Sequence, residues 1–442
     1  MKKGWIVSLV LVMLVSLVAA CGGGNENATN NKGNNASNNG AASGSDSGAD
    51  AGNGEKKELH VFHFKAAIAE EMEEMEKAYE AEHPNVDLTI ETVGGGADWL
   101  ANLKTKFAAG KGPDVFVVEG ISQLELWKEY LTDLSDQPWV EHSLPFAKEQ
   151  MMLDGKLYGM PMNIEGFGFI YNKDLFAQAG IEQAPTTMTE LKAAAAKLQD
   201  AGILPFSNGF ATWWVVGLHM PNAAFAQQDD PAAFVKALNE GTETIAANPK
   251  FQEFGELMDF VLENGNPSPL TTDMETQLTL FATGEAAMMH QGNWVEPKLA
   301  KMNPDLNLGL LPVPLNDDQS KTDRIQVGIP MNWVVNNQSQ NLDGAKEFLN
   351  WLAMSETGKA YITDKFKMIP AFDHMDAVDP MGVSQDVIQY SKDDKTLRWV
   401  FPTWPDGVAN QFADNVQGYI GDQHDFNTML EKMDQSWEQL KK

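Results

Sequence analysis

Gly112-Pro113-Asp114-Val115-Phe116-Val117-Val118-Glu119-Gly120, followed by Leu153-Asp154-Gly155-Lys156-Leu157-Tyr158-Gly159-Met160-Pro161-Met162-Asn163-Ile164-Glu165-Gly166-Phe167-Gly168-Phe169-Ile170-Tyr171-Asn172-Lys173, decides the fold. Gly-Pro-Asp is a turn signal, and the apolar, β-branched run Val115–Val118 reads as a buried strand of a parallel sheet. Glu119 and Gly120 stand at its C-terminal end, where open α/β sheets collect their ligands. Asp154-Gly155 between apolar residues reads as a tight hairpin.

Upstream, Leu59–Phe64 reads as a strand. Ala66–Glu82 reads as a helix with Ile68, Met72, Met75 and Tyr79 on one face. Val86, Leu88 and Ile90 alternate with polar residues, as a strand does. Asp98–Ala109 reads as a helix closed by Gly110. This βαβαβ opening implies a doubly wound α/β domain. Downstream, Thr187-Met188-Thr189-Glu190 is a capping box opening a helix that Gly202 ends. Phe281–Met289 reads as a helix end and a strand, and Leu308–Leu311 as a strand. Ile325–Val335 is one apolar, strand-like run, and Asp343–Ser355 is an amphipathic helix.

The 442 residues suggest two or three domains or lobes. With 32 basic and 62 acidic residues the net charge is −30, which excludes a nucleic-acid partner, since phosphate binding needs a basic face. The single cysteine, Cys21, allows no intramolecular disulfide. It follows Met1-Lys2-Lys3, an apolar stretch Trp5–Ala20 and the small residues Val18-Ala19-Ala20, the pattern of a secretory signal with a bacterial lipobox. Residues 1–20 are expected to be a lipoprotein signal peptide and Cys21 the lipidated residue, anchoring the chain to the outer face of a Gram-positive cell membrane. Residues 21–55, rich in Gly, Asn, Ala and Ser, are expected to form a disordered tether.

The phrases PDVF…VEG (113–120), DGKLYGMPMNIEGFGFIYNKDLF (154–176) and LFATGEAAMMHQGNW (280–294) resemble the extracellular solute-binding proteins of bacterial sugar ABC importers. GGGADWLANLKTKF (94–107) and VEGISQLELWKEYLTDLSDQPW (118–139) are similar to the multiple-sugar lipoproteins that take raffinose, stachyose and melibiose. Trp99 is a departure, standing where that subgroup would have Tyr. The resemblance implies a periplasmic-binding-protein-like fold, two doubly wound lobes joined by a three-segment hinge near Glu165, Pro312 and Ala371. The expected lobes are 56–163 with 315–370, and 165–311 with 375–442. It also implies an oligosaccharide ligand held between the lobes, membrane permease subunits as partners, a monomeric receptor, and neither cofactor nor catalysis.

Sugars offer apolar C–H faces to aromatic rings and hydroxyls to carboxylates and amides. Of the 12 Trp, Trp127, Trp351 and Trp437 read as helix core. Trp213 and Trp214 follow Gly209-Phe210 in a loop. Trp294 follows Gly292-Asn293, Trp333 follows Pro330-Met331-Asn332, and Trp404 lies between Pro402 and Pro405. Two or three of these are expected on sugar. Glu119 and Glu165 each follow an apolar strand and precede Gly. Asp98 with Trp99 opens a helix, although Asp there can serve purely as a cap. Lys65 ends the first strand; Asn163, His219 and Asn332 complete the candidate set. His60 and His63 point to opposite faces of a strand and lack a third metal ligand. A surface glycoside hydrolase, in which Glu119 and Glu165 would flank a scissile bond, and a sensor lipoprotein without transport remain alternatives.

Overall fold

In the computed structural model, residues 56–94 and 97–441 are described. The expected signal peptide (1–20), lipidated Cys21 and tether (21–55) fall outside the described residues. Among the described residues fourteen strands form two large sheets and one hairpin. They are β1 (Lys57–His63), β2 (Val86–Thr92), β3 (Val115–Val118), β4 (Met152–Leu153), β5 (Lys156–Leu157), β6 (Gly159–Pro161) and β7 (Asn163–Asn172). β8 (Leu204–Ser207), β9 (Ala286–Gly292), β10 (Leu308–Leu311), β11 (Ile325–Gly328), β12 (Asn332–Val335), β13 (Ile369–Pro370) and β14 (Thr396–Arg398) follow.

The first sheet runs β2-β1-β3-β12-β6. β1 is parallel to β2 and β3, while β12 is antiparallel to β3 and β6. All four residues of β3 are buried, as its apolar run requires. β4 and β5 pair around Asp154-Gly155, both at positive φ (52° and 78°), the backbone that a tight Asp-Gly hairpin needs. The second sheet runs β14-β11-β7-β9-β8, with β10 and β13 also pairing with β7.

β7 is the spine of that sheet, and its sequence explains why. Phe167 and Phe169 enter one core; Ile164 and Ile170 enter another. The alternate residues Gly166 and Gly168 leave room for Val387 and for the Leu311 carbonyl, which a Cβ would meet at 2.6 and 2.0 Å. The strand is covered on both faces, and the Gly-Phe-Gly-Phe alternation is the imprint of that packing.

Each sheet has its own core. Around the first lie Leu59, Phe62, Met75, Tyr79, Phe116, Trp127, Trp333 and Phe348; around the second lie Phe169, Phe206, Phe225, Phe251, Phe412 and Trp437. A third cluster, including Ile164, Ile170, Ile325, Leu310 and Val387, packs on the other face of β7 and its neighbours. Trp127, Trp351 and Trp437 are core residues.

The crossings differ from expectation at one place. The first falls at 161–163, between β6 and β7. The second lies at Ile329-Pro330-Met331, not near Pro312, because Ile325–Val335 is two strands in different sheets. Pro330 has no N–H to continue a ladder, and the run breaks there. Residues 315–328, expected with the first half, therefore pack with the second: Leu315 joins its core, and β11 pairs with β7 and β14. At the third crossing β13 pairs with the start of β7, Ile369 opposite Ile164 and Pro370 opposite Asn163.

Candidate functional site

Two adjoining cavities, of about 180 and 160 Å³, open between the halves. Both are lined by Trp99, Glu119, Trp213, Leu218 and Phe401. Joined, they reach the lower end of the ~300–1,000 Å³ usual for small-molecule sites. The first half supplies Phe64, Lys65, Trp99 and Glu119; the second supplies Glu165, Trp213, Trp214, His219, Trp294, Trp399 and Phe401.

Lys65 and Glu119 stand just past strand ends, and Glu165, expected after an apolar strand, is the third residue of β7. Lys65 lies just past β1, and its Nζ contacts Glu165 Oε1 on β7 and stands 5.6 Å above the Trp294 ring. The Lys65 amide donates to His63 Nδ1 (3.2 Å), so His63 carries its proton on Nε2, which donates to Thr92 Oγ1 (2.7 Å). Burial, and then the Lys65 charge, push His63 down to about 3, so it holds the Lys65 backbone as a neutral ring. Asn163 Nδ2 donates to Glu165 Oε1 from behind (3.1 Å). Glu119, half-buried after β3, accepts from Gln123 Nε2 at 3.2 Å, while its own amide donates to Gln123 Oε1 at 3.0 Å. Burial pushes its carboxyl up to about 7; the bond from Gln123 and the Lys65 charge work against that, and Glu165 adds to it.

Aromatic rings form the walls. Trp99 stacks on Phe64 (4.9 Å between centroids, 30°). Opposite, Trp214 meets Trp294 edge-on (6.0 Å, 73°), and Trp399 lies 5.0 Å from Phe401. Trp294 Nε1 donates to Gln291 Oε1, and Gln291 in turn donates to Gln277 Oε1, which fixes the ring. Bare glycines make space for these rings: a Cβ on Gly292 would lie 2.1 Å from Trp294, and one on Gly328 2.3 Å from Trp399.

His219 ends a π-helical turn, Val215–His219. Pro221 has no N–H to return to the Gly217 carbonyl, and the Met220 amide bonds Val215 instead. The imidazole stacks on Phe167 (4.2 Å, 14°), and its Nδ1 has no protein partner. Burial, with His290 and Lys65 nearby, holds its pKa well below the usual value, so the ring is neutral.

The structure therefore brings Lys65, Asp98, Trp99, Glu119, Glu165, Trp213, Trp214, His219 and Trp294 to the cavity walls. Asp98 also caps its helix through the Ala101 amide (2.9 Å). Asn163 lies beneath, in a small recess of about 20 Å³ beside Lys65 and Glu165. Three expectations are corrected. Trp333 is fully buried in the first core, its Nε1 against Met162 Sδ, because β12 is an internal strand. Asn332 spends its amide on the Val118 and Ile329 carbonyls. Trp404 touches the larger cavity but packs among Phe225, Phe412 and Trp437 at 2% exposure. Phe64, Trp399 and Phe401 also line the cavity; Trp399 follows β14 and Phe401 opens the helical turn Phe401–Thr403, so their convergence rests on that turn, which strand periodicity does not signal.

The halves touch beyond the cavity. Lys104 pairs with Asp406 (2.6 Å), Lys301 with Glu71 (3.5 Å) and Arg398 with Glu149 (3.2 Å). No helix among the described residues is long and apolar enough to cross a membrane.

Known proteins are similar to this chain in sequence and in fold. The chain is 25% identical over 379 residues to a putative binding protein of Brucella abortus, covering 82% of this chain and 87% of the relative. It is 25% identical over 251 residues to the melibiose/raffinose/stachyose-binding protein MelE of Bacillus subtilis, covering 54% and 56%. In fold it is similar to RafE in complex with raffinose (TM-score 0.76, 18% identity, 87% of this chain and all of that one). A Bacillus licheniformis sugar transporter solved with stachyose is also similar (TM-score 0.72, 21% identity, 87% and 100%). The fold is periplasmic-binding-protein-like. The profile of the bacterial extracellular solute-binding proteins matches residues 64–359, most of the described chain, and the protein belongs to that family.

Proposed function

We propose that the protein is a lipid-anchored receptor, tethered outside the cell through Cys21. It captures an oligosaccharide of the α-galactoside class between its halves and passes it to the permease subunits of an ABC importer. The observation that carries this reading is the cavity wall: tryptophans from both halves face one another, and a lysine and two glutamates stand among them. Apolar plates suit the C–H faces of pyranose rings, and Glu119, Glu165, Lys65 and His219 suit hydroxyls as acceptors and donors. MelE, a melibiose/raffinose/stachyose-binding protein, and RafE, solved in complex with raffinose, support the substrate class. Nothing in the geometry favours hydrolysis, so Glu119 and Glu165 are assigned to binding.

Sugar touching both halves favours the shut arrangement by its differential contacts. Micromolar affinity corresponds to about −8 kcal/mol. A few stacked rings at ~1 kcal/mol each beyond area burial, with charge-assisted hydrogen bonds, supply it. Titration calorimetry with raffinose, stachyose, melibiose and maltose tests the reading. Heat from the first three and little from maltose is the expected result. Silence from all four overturns the sugar assignment, and maltose alone overturns the α-galactoside class.

A further inference from the structure

Away from the cavity, His142, Asp373 and His374 come together at the surface, the first two 231 residues apart in sequence. The backbone fixes them. Ser143 forms an antiparallel bridge with Phe372, the Leu144 amide donates to the Ala371 carbonyl (3.0 Å), and the Asp373 amide donates to the His142 carbonyl (2.8 Å). One candidate ligand atom from each side chain lies within 4.8 Å of the other two.

The state of His374 is the informative detail. Its Nε2 is 2.9 Å from the Ala353 carbonyl oxygen, which can only accept. Nε2 therefore carries the proton, and Nδ1 presents a lone pair. That atom is buried and has no partner. A metal-bound histidine has this same pattern, with its outer N–H held by a backbone carbonyl and the other nitrogen turned to the ion. The His142 ring lies 4.3 Å from that of His374, and His142 Nδ1 is 3.1 Å from Asp373 Oδ1. Ligand–ligand edges in tetrahedral zinc sites with ~2.0–2.1 Å bonds are about 3.3 Å, so the set needs side-chain adjustment only. Asp373 is exposed, which gives an ion a way in, and Glu141 Oε1 lies 3.8 Å from His142 Nε2, adding negative charge beside the site.

We propose that His142, Asp373 and His374 form a site for a borderline divalent transition metal such as Zn²⁺, with water completing the coordination. The site is independent of the sugar reading. It sits directly after β13, the strand that pairs with the start of β7, so an ion would fasten this crossing to the Pro138–Ser143 segment.

The test uses the untagged chain, stripped with EDTA and titrated with Zn²⁺ by calorimetry and with Co²⁺ by visible absorption. The expected result is saturable, stoichiometric binding, intense low-symmetry Co²⁺ bands and a higher Tm with Zn²⁺. Affinity should fall at least ~10-fold in His142→Ala and His374→Ala. Asp373→Asn, at an exposed position, should also weaken binding while leaving the circular dichroism unchanged, which separates ligand loss from misfolding. No saturable binding, or affinity in all three variants unchanged from the natural protein, overturns the proposal.

Discussion

Glu119 offers a direct test of the cavity chemistry through pH. Its carboxyl is pushed up to about 7, chiefly by burial. A sugar hydroxyl that donates to this group needs the carboxylate, so binding lowers its pKa and releases a proton. Affinity must then tighten as pH rises through 7. For a group with pKa about 7 the ionised fraction is roughly one in eleven at pH 6 and ten in eleven at pH 8, so the association constant should be about tenfold larger at pH 8. Folding runs the other way. A carboxyl whose pKa is raised in the fold contributes stability that is complete below its unfolded value, near 4.5, and is lost as pH rises through 7. Weaker binding at pH 6 is thus not traced to this group loosening the fold. His63 is buried and neutral and takes a proton on unfolding below about 6.5, so it erodes stability toward acid. The comparison is therefore made at each pH between the natural protein and Glu119→Gln, by raffinose calorimetry in buffers of differing ionisation heat. The natural protein should show the tenfold slope and proton release, and Glu119→Gln a flat profile. Equal slopes in the two proteins would refute the argument.

Three further outcomes are expected. Gly120→Val should hold the halves apart, because even a Cβ there would lie 2.4 Å from Pro402 Cβ on the opposite half. Sugar affinity should drop by at least ~10-fold, about 1.4 kcal/mol, with a larger radius of gyration in saturating sugar; unchanged affinity would count against closure by this contact. Glu296→Ala should destabilise by about 2–4 kcal/mol in urea, since the buried carboxyl, pushed up to about 7 by burial, accepts from the Val383 amide (2.5 Å), the Ser384 amide (2.9 Å) and Ser384 Oγ (2.5 Å) at the start of the helix Gly382–Lys392. Lys65→Met alone leaves Glu165 buried without its counter-charge and should cost ~3–5 kcal/mol, whereas Lys65→Met with Glu165→Met should recover most of that stability and still bind no sugar. Recovery of sugar binding in the double variant would remove the pair from the site.

Local signals carried the fold a long way. The buried run Val115–Val118, the Asp154-Gly155 hairpin and the Thr187-to-Glu190 capping box are each decided by neighbours in sequence, and each stands in the structure. Ile325–Val335 failed because apolarity says that a run is buried and not in which sheet. Only the long-range pairing of β11 with β7 and of β12 with β3 separates the two strands, although Pro330 marked the break. The cavity was legible where chemistry and strand ends coincide, as at Glu119 and Lys65; Glu165, expected to follow an apolar strand, is instead the third residue of β7. It was illegible where a ring's destination depends on which face of a strand is covered. Trp333 follows Pro-Met-Asn much as Trp294 follows Gly-Asn, yet one is inside a sheet and the other on a wall. What separates them is space beside the chain: Gly292 leaves room for the Trp294 ring to fold back toward the cavity, whereas the face of β12 carrying Trp333 lies against Met162 and His63. A tryptophan beside a strand-end glycine is therefore a better wall candidate than one beside a proline. Trp399 is the exception that shows where the rule stops: its ring lies over Gly328 of the neighbouring strand, a glycine that no local reading places beside it.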